Sequence, residues 1–197
     1  MDSESRRDEL ILEGIVVTVD AQGQPNIAPM GPRVDRAISR LVLKPFNTAT
    51  TYRNLKATGC GVFHVTDDVL LIAQAAIGTI AKSPQLTPIP SFNCPRLTDA
   101  CRWWAFRASS IDDSAERTTI DCEIVQVGEV RPFFGFNRAK HAVLEVAIWA
   151  TRIGIVPDEE IRREVARLSP AVEKTAGEQE QAAFALLRDF LRQRLGA

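Results

Sequence analysis

Two segments near the start of the chain carry residue types suited to a flat, phosphorylated ligand. One is Lys44-Pro45-Phe46-Asn47-Thr48-Ala49-Thr50-Thr51-Tyr52-Arg53-Asn54-Leu55, leading into Ala57-Thr58-Gly59. It reads as a strand that enters a hydroxyl-rich loop and then a short helix. A helix start presents unpaired backbone N–H groups and a partial positive charge, which suits a phosphate. Thr48, Thr50 and Thr51 add hydroxyls, Asn54 adds an amide, and Lys44 and Arg53 add charge. The same residues would also serve an ordinary helix capped by Thr48 or Thr50 and stopped at Gly59. Three threonines, a lysine and an asparagine so close together tilt the balance toward an anion site. The other segment is Asn26-Ile27-Ala28-Pro29-Met30-Gly31-Pro32. Across Ala28, Pro29, Met30 and Gly31, small residues and a glycine let backbone approach a planar ring, although a strand end with a bulge or turn explains them equally well. Taken together, the two segments point to a flavin nucleotide.

A third group is polar and helical. Asn137, His141 and Glu145 recur every four residues and share one helix face, flanked by Arg138 and Arg152. A solvated face is the default for such a stripe, and the wall of a ligand pocket is the alternative. The other histidine, His64, sits on a strand as a core-edge or surface residue. Cys60, Cys94, Cys101 and Cys122 fit no metal-ligand spacing and read as reduced apolar fillers, with Cys94 and Cys101 partly exposed beside a loop. No metal site is expected. The dinucleotide-binding glycine motif, the phosphate loop of nucleoside triphosphatases, the zinc-peptidase helix and the serine-hydrolase elbow are all missing.

The elements that must hold these residues fall into two stretches. Leu10–Asp20 is rich in β-branched residues, Ala21–Pro25 is a turn, and Asn26–Met30 returns as the second arm of a hairpin. Further strands are expected over Ser39–Phe46, Gly61–Thr66, Arg102–Ser109 and Thr118–Arg131, the last two joined by a turn at Asp112-Asp113-Ser114. Asp68–Ile77 has helical spacing and ends at Gly78. Ser83–Pro95 holds four prolines and reads as a long irregular loop of the kind that serves as a lid or partner surface. From Phe136 the period changes to 3.6, with Ala139, Ala142, Val143, Val146, Ala147 and Ala150 on one stripe. A second helix begins near Val156 and stops at Ser169-Pro170, and a last one runs over Glu178–Leu195. The fold class is mainly β: an antiparallel barrel of six or more strands followed by helices.

Bulk properties bound the function. The 197 residues are 45 % apolar and 25 % charged, with a formal net charge of -1, which disfavours nucleic acid or an anionic membrane as the main partner. Residues 1–9 are polar and mixed in charge, unlike a secretory leader, and the most apolar run, Val143–Ala150, is too short to span a bilayer. A cytoplasmic protein is expected.

Four segments, in order, resemble the FMN-binding split-barrel proteins, and more closely the DUF447 family among relatives of the flavin reductases. They are residues 26–31, residues 51–59, Val65-Thr66-Asp67-Asp68, and residues 137–145 with Ala150-Thr151-Arg152. The resemblance implies a split-barrel FMN domain over residues 8–133 and a helical C-terminal subdomain over 134–197 packed on the barrel. It implies FMN near a homodimer interface, with the phosphate around Thr48, Thr50, Thr51 and Asn54. The ring would lie against Ala28–Gly31, and the helix carrying Asn137 and His141 near the pocket or the interface. The partners would be a second copy and a small-molecule electron donor or acceptor. A flavin-dependent oxidoreductase leads; a non-catalytic FMN carrier or sensor, and a structural or assembly protein without the ligand, are the alternatives. Large apolar side chains on the late strands (Trp103, Trp104, Phe106, Ile120, Ile124, Val125) suggest a flank that a second copy covers.

Overall fold

The computed structural model describes residues 9–196, in two compact units. Residues 1–8, most of the polar start noted above, and Ala197 lie outside the described residues. One unit holds residues up to Thr66 together with Pro84–Pro132; the other holds Asp67–Ser83 together with Phe133 onward.

The first unit is built on an antiparallel sheet of eight segments: β1 (Leu10–Ile11), β2 (Gly14–Val19), β3 (Pro25–Met30), β4 (Arg33–Val34), β5 (Arg40–Leu43), β6 (Cys60–Val65), β9 (Arg102–Asp112) and β10 (Thr119–Glu129). Their order is β1-β4-β5-β10-β9-β6-β2-β3. The expected strand over Leu10–Asp20 is therefore two, broken at Leu12-Glu13. The break is a bend within one ladder. Leu10 faces Val34, Ile11 faces Arg33 and Gly14 faces Met30, all in one register. Leu12 N donates to Pro32 O at 3.1 Å across the bend. Thus β1–β2 and β3–β4 are the two arms of one kinked hairpin, and the two ends of the sheet belong to it. The sheet is curled into a barrel whose split lies at that kink.

Gly14 and Gly31 flank the kink, and at Gly14 backbone leaves no room for a side chain. A Cβ on Gly14 would sit 2.1 Å from the His64 carbonyl oxygen, and one on Gly31 would sit 2.8 Å from both Ile11 and the Glu13 carboxylate. The turn at the far end is fixed by Asp20, whose Oδ1 accepts from Gln22 N at 2.9 Å and Gln24 N at 2.8 Å. Inside the barrel lie Val16, Leu41, Leu43, Leu55, Phe63, Trp104, Phe106 and Ile120, all buried. Trp104, Phe106 and Ile120 are thus core residues, which corrects their assignment to an exposed flank; on the late strands Val125 and Val127 are the exposed apolar pair.

The proline-rich segment is ordered. Leu86–Ile89 (β7) and Phe92–Leu97 (β8) form a two-stranded hairpin. Pro88 falls at a register shift between Thr87 and Ile89, a position that asks no N–H of it. This hairpin is bonded to the strands beneath it. Cys94 Sγ donates to Val17 O at 3.3 Å, and Leu97 N donates to His64 Nε2 at 3.0 Å. That layer explains why β2 is buried along its whole length.

The second unit is helical. Its helices are α2 (Val69–Ala76), α3 (Arg138–Ala150), α4 (Asp158–Thr175) and α5 (Glu178–Leu195). Inserted between β6 and β7 in sequence, α2 packs with α3 and α5, so the helical unit is discontinuous rather than a block beginning at residue 134. The stripe Ala139, Ala142, Val143, Val146, Ala147 and Ala150 is buried, as its spacing requires. Helix α4 does not stop at Pro170. Leu168 and Val172 are buried on either side of it, and that packing outweighs the hydrogen bond the proline withholds from the Ala166 carbonyl. Among the described residues no helix is long and apolar enough to cross a membrane.

Candidate functional site

Helix α1 (Thr50–Thr58) belongs to the barrel unit and packs across β2 and β3. Its N-cap is Ala49, which makes no side-chain cap, and its first turn holds no acidic residue. Thr48 and Thr50 therefore do not cap it. Among the described residues the other helices are compensated. Asp68 caps α2, Asn137 caps α3, three acidic residues open α4, and Glu180 reaches back to Gly177 N at 2.9 Å in α5. The positive end of α1 is left open to an anion. The helix ends at Gly59 (φ 67°), whose N–H returns to Leu55 O.

The side chains around this start divide in two. Thr51 and Asn54 are buried and tie the helix down: Asn26 Nδ2 donates to Thr51 Oγ1 at 3.3 Å, and Asn54 Nδ2 to Thr18 Oγ1 at 3.1 Å. Thr48 and Thr50 are exposed, with Arg53 folded over them. Its Nη1 donates to Thr48 O at 2.6 Å and its Nη2 to Thr50 Oγ1 at 2.9 Å. Lys44 is half-buried, and its carbonyl accepts from Arg117 Nη1 at 3.3 Å. Arg117, far along the chain, also stacks over Phe46 at 4.4 Å. Sequence spacing offered no signal for Arg117, because only the β9–β10 hairpin brings it to this loop.

Ala28, Pro29 and Met30 lie on β3, which pairs with β2 alone, so its other edge is open. Prolines at 25 and 29 suit such an edge. The Asn26–Thr51 bond joins β3 to the first turn of α1, so both candidate segments meet in one place. Gly31 lies at the kink, where a Cβ would meet the side chains of Ile11 and Glu13.

Asn137 and His141 belong to the helical unit. Asn137 is spent as a cap: its Oδ1 accepts from Ala139 N at 2.9 Å and Lys140 N at 3.0 Å, and its Nδ2 donates to Thr175 O at 3.1 Å. His141 is exposed, 4.0 Å from Glu145. In the same unit a groove of about 460 Å³ between α4 and α5 is lined by Ile161, Val165, Leu191 and three arginines, none of them a candidate residue.

No cysteine or histidine with the features of a nucleophile or base lies at the barrel site. His64 is fully buried, its Nδ1 donating to Ile15 O at 3.2 Å and its Nε2 accepting from Leu97 N; burial pushes its pKa down to about 4, so it is neutral. All four cysteines are buried free thiols, Cys94 and Cys101 included, and burial pushes Cys94 and Cys122 up to about 12. Among the described residues no His/Cys/Asp/Glu group is placed to hold a metal.

An antiparallel split barrel with appended helices defines a class that includes flavin reductases. The structure is similar to a putative flavin reductase with a split barrel domain from Shewanella frigidimarina (TM-score 0.51, 16% identity, 66% of this chain and 75% of that one). It is similar also to the 2-nitrobenzoate 2-nitroreductase NbaA of Pseudomonas fluorescens (TM-score 0.53, 17% identity, 66% and 73%). The FMN-bound DUF447 protein MM1853 from Methanosarcina mazei is matched over 96% of this chain and 100% of that one, at 22% identity and a TM-score of 0.79. None of the curated proteins compared with the chain matches it. The family model for the N-terminal domain of DUF447, a protein of unknown function, matches residues 12–131, and that for the C-terminal DUF447 domain matches residues 137–189. The chain belongs to the DUF447 family.

Proposed function

We propose that this protein binds FMN in the barrel unit, as a homodimer, and works as a flavin-dependent oxidoreductase on a substrate the residues do not name. The observation that carries the reading is the uncapped, acid-free start of α1 beside the open edge of β3. The phosphate would accept from backbone N–H groups at Thr50–Tyr52, with the Thr48 and Thr50 hydroxyls, Arg53 and Lys44 around it. Thr51 and Asn54 would act by holding the helix in place. The ring would lie along Ala28–Gly31. Asn137 and His141 enter this reading only at the pocket margin or the interface. The FMN-bound relative in the same family supports the choice of flavin. A flavin carries its own redox chemistry, which suits a site without an acid–base pair.

The test is a titration of the purified, flavin-free protein with FMN and with riboflavin, followed by flavin fluorescence. FMN should bind at least tenfold more tightly, as expected from roughly one charge-assisted phosphate contact or more. Equal affinities would remove the phosphate site. Reduction of the bound flavin by NADH or NADPH then separates an oxidoreductase from a carrier.

A further inference from the structure

We propose that the tip of the β9–β10 hairpin, anchored through Asp113, sets the shape of the loop that receives the phosphate, which makes Asp113 a positioning residue for FMN. The inference rests on the flavin reading above.

The loop 44–49 has little structure of its own; its internal backbone bond is Ala49 N to Phe46 O at 2.9 Å. Its shape comes instead from a hairpin tip some seventy residues away. Asn47 N donates to Glu116 O at 2.9 Å. Thr118 donates twice to Pro45 O, from N at 3.0 Å and from Oγ1 at 2.9 Å. Phe46 and Arg117 form an isolated antiparallel bridge.

The tip is in turn fastened to the helix. Tyr52 Oη donates to Asp113 Oδ2 at 2.5 Å, and Lys56 Nζ donates to the same oxygen at 2.7 Å and to Tyr52 Oη at 2.9 Å. The tip holds its own turn through Asp112, whose Oδ1 accepts from Ser114 N and Oγ. Tyr52 is buried against the barrel core, and its backbone N–H belongs to the first turn of α1. Asp113 therefore grips the turn that would donate to the phosphate, while its neighbours in the tip grip the loop before it. Hydrogen bonds from Lys56 and Tyr52 hold the Asp113 carboxyl below its usual range, so it is ionised. An exposed ion pair alone contributes little; the phenol, fixed by its buried ring, supplies the geometry.

The experiment compares Asp113→Ala, Asp113→Glu and Tyr52→Phe with the unaltered protein. The last keeps the core ring and removes only the phenol oxygen. Two quantities are measured: amide hydrogen exchange over residues 46–52 without flavin, and affinity for FMN and riboflavin. Asp113→Ala should speed exchange in that segment by roughly tenfold or more, as local opening becomes easier. It should weaken FMN by about tenfold while leaving riboflavin within about twofold, since only the phosphate contact is misplaced. Tyr52→Phe should move both quantities the same way, and Asp113→Glu should restore part of the FMN affinity. Unchanged exchange in Asp113→Ala overturns the proposal. Parallel loss of FMN and riboflavin also overturns it, by reducing Asp113 to a general support. If the unaltered protein binds neither flavin, the flavin reading itself fails and the phosphate role falls with it; the exchange result then stands separately as a record of what shapes the loop.

Discussion

Thr51 and Asn54 have the chemistry of phosphate ligands, yet their visible hydrogen bonds go to Asn26 and Thr18. Composition shows that donors are present; it does not show which way they turn. In a short helix lying on a sheet, the second and fifth residues face the sheet, while the first and fourth, Thr50 and Arg53, face out. Two outcomes follow at this scale. Arg53→Ala should weaken FMN by roughly tenfold and leave riboflavin unchanged, the loss of one charged contact. Asn54→Ala should instead lower stability by about 1 kcal/mol, since it removes one buried hydrogen bond, and denaturant titration would show this. His64 gives a pH signature. Its folded value, about 4, lies below the ordinary 6.5, so the unfolded chain takes up the proton first. Stability is whole above pH 6.5 and falls as pH drops toward 4, by about 3 kcal/mol in total. A His64→Gln variant should show a flatter profile across that window.

Among elements, periodic ones were legible and interrupted ones were not. The stripe on α3 and the bounds of α5 follow from spacing, and the hairpin turn over Ala21–Pro25 follows from its turn residues. The proline-rich segment misled because proline signals a broken ladder, whereas a two-stranded hairpin with a bulge has room for it. Pro170 misled for a related reason: a helix breaker acts against propensity, and buried Leu168 and Val172 override propensity. The strain should still be measurable. Pro170→Ala restores the N–H to the Ala166 carbonyl and should stabilise the protein by roughly 1–3 kcal/mol, read as a higher Tm. If Tm falls, α4 is shaped to the proline rather than burdened by it.

For the whole molecule, the candidate site was half legible. Its two segments are near each other in sequence, so their residues signalled together. Arg117 and Asp113 come from a distant hairpin; Asp113 was legible only as part of a turn, and the partners of both residues left no trace in local pattern. The division into units was likewise hidden, because α2 joins helices that follow it by some sixty residues. Association is the prediction at this scale. Leu10, Ile11, Val125 and Val127 are exposed apolar residues on barrel strands, and the pair on β10, Val125 and Val127, is the one that a second copy would cover. Light scattering should give a dimer at micromolar concentration, and Val127→Glu should shift it toward monomer. A monomer with flavin bound would count against the homodimer.

The kinked hairpin also bears on how the chain folds. Its two arms are joined by a five-residue turn and can zip from Asp20 outward on a timescale of about 1–10 μs, before any distant strand arrives. Because those arms form both ends of the sheet, the seam of the cylinder is made first and the wall opposite it last. The remaining strands are then drawn around a seam already in register. The slow step should be the docking of the β9–β10 hairpin between β5 and β6, which closes the longest loops. Loosening the turn with Asp20→Ala should slow refolding, whereas trimming Val127 on the outer face should leave the refolding rate nearly untouched.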